Sequence, residues 1–96
     1  MSRHSTKTNK HEIVLGVDRP LNHVFASVFN KKGDPARGFD PFSWFSPDED
    51  GVNQAIETVE KFTKCKLPAS MKDALVADLN TMRDGGNINH FKHHDM

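Results

Sequence analysis

A hydrophobic run, Val24–Phe29, constrains the fold of this chain more than any other feature. Successive side chains of an extended strand point to opposite sides of the sheet. In this run the two valines and the alanine share one side, whereas the two phenylalanines share the other. A sheet with one face in water normally shows polar residues on that face. Both faces of this sheet are therefore expected to need cover, from the aromatic segment Phe39–Phe45, a second copy of the chain or a partner.

A second β-rich run precedes this one, and the two are predicted to form an antiparallel hairpin. The first run spans residues 13–17, and the connection Asp18–Asn22 contains Pro20. Aspartate, proline and asparagine favour turns, and proline cannot donate a hydrogen bond to a sheet ladder. The segment Phe39–Phe45 is interpreted as a short third strand or as an irregular segment across the core.

Two amphipathic helices are predicted in the second half of the chain. The first begins with Ser46 as N-cap and Pro47 as first helical residue. The second follows Pro68 and ends before Gly85, and a last short strand is predicted at residues 87–92. The fold class is therefore α+β: a small antiparallel sheet, made of a β-hairpin and one or two short strands, with two helices packed on one face.

The composition predicts one small soluble domain at residues 11–92. Residues 1–10 are interpreted as a disordered basic tail, and residues 93–96 as a polar His-rich tail. Cys65 is the only cysteine, so no internal disulfide can form and a reducing compartment is expected. No run is apolar enough for a membrane span or a signal peptide, and we expect a cytoplasmic protein.

No recognisable motif for catalysis is present, and the chain is expected to be a non-enzyme without a cofactor. It contains no nucleophile elbow and no phosphate-binding loop. One metal hypothesis remains, because His90, His93 and His94 form an H-x-x-H-H cluster whose imidazoles can bind a transition metal. The cluster lies at one end of the sequence, where rigid geometry is hard to supply, so adventitious affinity is the favoured interpretation.

Candidate binding residues lie in the aromatic segment and at the tip of the hairpin. Phe39 and Trp44 are predicted to be exposed and to anchor a protein interface, where aromatic residues are enriched. Phe45 is assigned to the core. Asp18 and Arg19 are further candidates, because Arg19 has no evident structural role at a hairpin tip. The first hypothesis is therefore a non-enzymatic protein-binding module, and homodimerisation is compatible with it.

Nucleic-acid binding is the alternative hypothesis. The chain has 13 basic and 13 acidic residues, so no net charge draws it towards a nucleic acid. A local patch at Lys31, Lys32 and Arg37 could still contact phosphates beside aromatic rings that stack on bases. The basic residues Arg3, Lys7 and Lys10 of the tail are included in this hypothesis.

The residues Val14–Leu21, followed by Phe25, resemble the opening of a family of small, mostly uncharacterised bacterial proteins. Some members are encoded on plasmids or phages. The family pattern is a strand that ends in glycine, an aromatic residue, a D-R-P-L turn, and a strand with a phenylalanine; this chain has Val17 at the aromatic position. The resemblance implies a fold of one hairpin with helices, a mobile-element setting and no known activity. By analogy with anti-CRISPR proteins from such a setting, the protein-binding hypothesis includes an inhibitor of a host defence complex.

Overall fold

The computed structural model describes residues 2–18, 22–40, 43–86 and 90–94, with the backbone alone at residue 90. Within these ranges, five strands and two helices form an α+β domain, so the predicted fold class is confirmed. The strands are β1 (Ser2–Lys7), β2 (His11–Asp18), β3 (His23–Asn30), β4 (Ser43–Phe45) and β5 (His90–His93). The helices are α1 (Glu49–Thr63) and α2 (Ala69–Arg83).

The sheet has the strand order β4-β3-β2-β1-β5 and is antiparallel except between β1 and β5, which run parallel. The predicted hairpin is present as β2 and β3, which pair along their full lengths and close with Asp18 opposite His23. The predicted turn residues Arg19, Pro20 and Leu21 lie outside the described residues.

The segment predicted as a disordered basic tail is instead an inner strand of the sheet. β1 pairs with β2 on one side and with β5 on the other. The side chains of Ser2, His4 and Thr6 point towards the helices and are buried, although none of them is apolar. The prediction was wrong because a strand without inward apolar residues lacks the hydrophobic alternation that identifies strands.

The segment predicted as a polar His-rich tail also belongs to the fold. His93 is the last residue of β5, and the His94 side chain is only 4% exposed. The His94 amide donates a hydrogen bond to the Ser5 carbonyl at 2.7 Å, which continues the pairing of β5 with β1. Residues 95 and 96 lie outside the described part of the chain.

Both helices pack on one face of the sheet and bury an apolar core with β2 and β3. The completely buried core residues are Ile13, Leu15, Val17, Val24, Val52, Ala55, Val59, Met71 and Leu75. Among the described helices, none is long and apolar enough to cross a membrane.

The start of α1 differs from the prediction by two residues. The N-cap is Asp48, whose carboxylate accepts hydrogen bonds from the Gly51 amide and the Ser46 hydroxyl, each at 2.8 Å. These two bonds lower the pKa of the Asp48 carboxyl below its ordinary value. Ser46 is therefore not the N-cap residue, but its hydroxyl donates a hydrogen bond to the N-cap residue Asp48. Gly51 is required here, because a Cβ would lie 1.8 Å from the Ser46 carbonyl oxygen.

Candidate functional site

The open face of the sheet, opposite the helices, carries a row of residues that crosses the five described strands. Trp44 of β4 lies opposite Phe25 of β3, and Phe25 lies opposite Gly16 of β2. The β1–β2 register continues to place Arg3 beside Gly16, and Arg3 lies opposite Phe91 of β5. Strands lie about 4.8 Å apart, so this cross-strand row extends for about 19 Å.

Glycine at the centre of the cross-strand row leaves room for an aromatic ring. A Cβ built on Gly16 would lie 2.5 Å from Cζ of Phe25 and 2.0 Å from the Ser2 carbonyl oxygen. The Phe25 ring therefore lies over the backbone of β2 and does not stand away from the sheet. The result is a flat, low surface between the two exposed ends of the row.

The two ends of the row are exposed aromatic side chains at opposite edges of the sheet. Trp44 is 59% exposed and Phe91 is 70% exposed. The Trp44 indole stacks on the His23 ring, with centroids 4.8 Å apart and planes inclined by 20°. Stacking on His23 therefore restricts the orientation of an indole that is largely exposed.

Most lysines of this neutral chain lie at one end of the sheet, together with Glu12 and Asp34, and several acidic residues lie at the other end. The ring contact between His11 and Phe62, 5.7 Å between centroids, places the end of α1 near the start of β2. Lysines concentrate at this end: Lys7, Lys10, Lys31, Lys32, Lys61, Lys64 and Lys66. A hollow of about 360 Å³ at the opposite end is lined by Asn22, Asp48 and Arg83, among others. Asp18, Glu49, Asp50 and Asp84 belong to this acidic end.

The residues predicted to bind a partner do not form one cluster. Trp44 is exposed, but Phe39 is only 8% exposed and packs edge-on against Phe62, with centroids 5.1 Å apart. The prediction that Phe39 is exposed was therefore wrong, because α1 covers its ring. Asp18 is half-buried at the end of β2, and Arg19 lies outside the described residues.

The predicted basic residues are at the surface of the lysine-rich end or near it. Lys31 and Lys32 lie in the turn after β3, and Arg37 lies in the following loop; all three are exposed. Lys31 and Lys7 line a shallow hollow of about 210 Å³ between the β1–β2 and β3–β4 connections. Arg3 and Lys7, which the nucleic-acid hypothesis included as residues of a tail, lie instead on the open face of β1.

A buried polar chain joins β1, the end of β5 and α2. Nε2 of His4 lies 2.6 Å from Oδ2 of Asp78, and Nδ1 of His4 lies 2.9 Å from Nε2 of His94. Nδ1 of His94 lies 2.8 Å from Oγ of Ser70, near the start of α2. His4 is 1% exposed and Asp78 is 6% exposed, whereas Ser70 is at the surface.

Only one arrangement of hydrogens satisfies every hydrogen bond of the buried polar chain when Asp78 is ionised and both imidazoles are neutral. Asp78 accepts from Nε2–H of His4, so Nδ1 of His4 must accept from Nε2–H of His94. Nδ1 of His94 then accepts the hydrogen of the Ser70 hydroxyl. Burial, followed by electrostatic repulsion from His4, Lys92 and His93, lowers the pKa of His94 and favours its neutral form.

The predicted metal cluster is not assembled. His93 and His94 are consecutive, so their side chains point to opposite sides of the sheet. His93 lies on the open face, 3.2 Å from the Ser5 hydroxyl, whereas His94 points into the buried polar chain. The side chain of His90 lies outside the described part. Among the described residues, no group of three His, Cys, Asp or Glu side chains is placed to hold a metal ion.

Comparisons of this chain with protein-family models, with curated proteins and with solved structures returned no match.

Proposed function

We propose that the chain binds single-stranded nucleic acid on the open face of its sheet, with bases on the cross-strand row and phosphates at the lysine-rich end. The main observation that supports this proposal is the cross-strand row. Aromatic rings and the arginine guanidinium are planar groups on which unpaired bases stack, and sheets that bind RNA commonly stack two or three bases in this way. Trp44, Phe25, Arg3 and Phe91 provide such planar groups on one surface.

The concentration of lysines at one end of the sheet supports a nucleic acid despite the neutral total charge. Arg3 lies within the row, and Lys7 lies four residues further along β1 on the same face, about 13 Å away. Lys31 and Lys32 extend the positive surface beyond the end of the strands. A single strand that lies along the row can continue towards Lys7, Lys31 and Lys32, and on this path it passes Glu12, which lies opposite Lys7 on the same face.

The open face has a projected area of about 500 Å², given five strands of the observed lengths. Several nucleotides fit within it. The exposed ends of the row still make protein binding the second candidate, and inhibition of a host defence complex stays a hypothesis that rests on the resemblance alone.

The chain contains its own reporter for the proposed binding. Trp44 is the only tryptophan and there is no tyrosine, so the intrinsic fluorescence comes from one residue of the row. Titration with short oligo(dT) and oligo(U) at low salt is expected to quench this fluorescence. The affinity should fall as salt rises, with a logarithmic slope of about 0.7 for each phosphate contact. Absence of quenching and of oligonucleotide-induced anisotropy change would reject the proposal.

Variants test whether the row provides the contacts. Phe91→Ala and Arg3→Ala are each expected to weaken binding of a labelled oligonucleotide about tenfold, the lower range for loss of one stacking group. Arg83→Ala, an exposed arginine at the acidic end, is the matched control and should bind like the unaltered protein. Light scattering over a range of protein concentrations, without oligonucleotide, tests the alternative: a dimer that is lost in Phe91→Ala would assign the row to self-association.

A further inference from the structure

We infer that Ser70 is a nucleophile of an acyl-transfer site, activated by His94 and positioned by His4 and Asp78, with small activated esters as its substrate class. This inference does not depend on the proposed nucleic-acid binding, since the buried polar chain lies on the opposite side of the sheet from the cross-strand row.

The order of the side chains in the buried polar chain supports the role of Ser70 as a nucleophile. A serine hydroxyl is a weak nucleophile unless an adjacent base accepts its proton, and the base itself is oriented by a third group. Here Nδ1 of His94 lies 2.8 Å from Oγ of Ser70, and His4 with Asp78 fixes which nitrogen of His94 carries hydrogen. His94 is nearly buried and Ser70 is exposed, so the nucleophile can be reached while its base is shielded from water.

Helix α2 contributes a second favourable feature. Ser70 is the second residue of the helix, and Pro68 as N-cap provides no side-chain hydrogen bond to the first turn. The positive end of the helix dipole therefore lies beside Ser70, where negative charge would develop on the carbonyl oxygen of an ester.

The reaction balances without any further reagent than water. Oγ of Ser70 adds to the carbonyl carbon of the ester as its proton moves to Nδ1 of His94. The carbon–oxygen bond to the alcohol then breaks, and His94 returns the proton to the departing alkoxide. Water, deprotonated by His94, next attacks the acyl group on Ser70, and the carboxylic acid and the original serine are released. During each step the positive charge on His94 can pass to His4, next to the Asp78 carboxylate.

The decisive experiment is covalent labelling of the full chain with a fluorophosphonate, followed by peptide mass spectrometry. The expected result is one phosphonylated residue, Ser70, with no labelling of Ser70→Ala. Ser43→Ala is the matched control, because its hydroxyl donates to the Asp40 carbonyl away from any histidine, and it should be labelled like the unaltered protein. Equal labelling of Ser70→Ala, or labelling of neither protein by a probe that labels a known serine hydrolase, overturns the inference.

A second readout separates catalysis from a structural role. Acylation of Ser70 by p-nitrophenyl acetate is expected to accelerate as pH rises and His94 loses its proton; the charged groups around His94 are His4, Lys92 and His93, with Asp78 behind His4. Asp78→Asn, if folded by circular dichroism, should slow acylation at least about a hundredfold and alter this pH profile. A folded Asp78→Asn protein with an unchanged rate and profile would overturn the positioning role.

Discussion

Strands β2 and β3 bury only apolar side chains against the helices, including Leu15 and Val24, whereas the adjacent strand β1 buries Ser2, His4 and Thr6. Both groups of side chains are almost completely removed from water. Apolar burial stabilises the first region roughly in proportion to its area and without regard to geometry. The second region gains stability only where each polar atom finds a partner. The two regions are therefore equally buried, but their contributions to stability are expected to respond differently to mutation and to pH.

The largest expected effect is the loss of one partner from the buried polar chain. Asp78→Ala should reduce the free energy of unfolding by about 4 kcal/mol, because it removes the charged acceptor of Nε2–H of His4 and leaves a cavity in the core. Denaturant unfolding measures this change. Asp73→Ala, an exposed aspartate of the same helix, is the control and should change stability by less than about 0.5 kcal/mol. A similar small change for both variants would show that the pair contributes little.

The apolar region is expected to respond slightly less strongly and independently of pH. Leu15→Ala should cost about 3 kcal/mol, because a completely buried side chain leaves a cavity between β2 and α2. The same unfolding experiment at several pH values should give a constant difference from the unaltered protein. A difference that varies with pH would mean that the two regions are not independent.

One polar residue of β1 is expected to be replaceable with a gain in stability. Oγ1 of Thr6 is buried and has no hydrogen-bond partner among the described residues. Thr6→Val preserves the shape and removes the unsatisfied hydroxyl, so the free energy of unfolding should rise by about 1 kcal/mol. The control is Thr8→Val, whose hydroxyl accepts a hydrogen bond from the His11 amide at 3.0 Å, and which should be destabilising. A loss of stability in Thr6→Val would contradict this interpretation.

The smallest expected effect concerns pH, through a single imidazole. The pKa of His94 in the folded protein is lowered from its ordinary value of 6.5. Between these two values the unfolded chain binds more protons than the folded chain, so stability falls as pH falls through this window. His94→Gln removes the titrating ring, and its unfolding free energy should show a weaker pH dependence over the same window. Identical pH dependence of the two proteins would exclude His94 as the cause.

The sequence predicted the apolar region well and the polar region poorly. Val24–Phe29 and α1 carry periodic apolar residues, and periodicity is a direct signal for strands and helices. β1 lacks that signal, because its burial depends on partners 74 and 90 residues away, Asp78 and His94. Contacts at such separations have no local pattern. For the same reason, the sequence did not predict that Arg3 and Phe91 belong to one row. They become neighbours only because β1 pairs with β5.

The polar composition of β1 also bears on the order in which the chain can fold. The pairing of β1 with β5 joins residues near the two ends of the sequence, and such non-local contacts form slowly. During synthesis, β1 and β2 can associate long before β5 emerges, and β1 is then the edge of an incomplete sheet. An apolar edge with unpaired amides invites pairing with other chains. The side chains of β1 are all polar or charged. They make β1 a poor template for aggregation until β5 pairs with it.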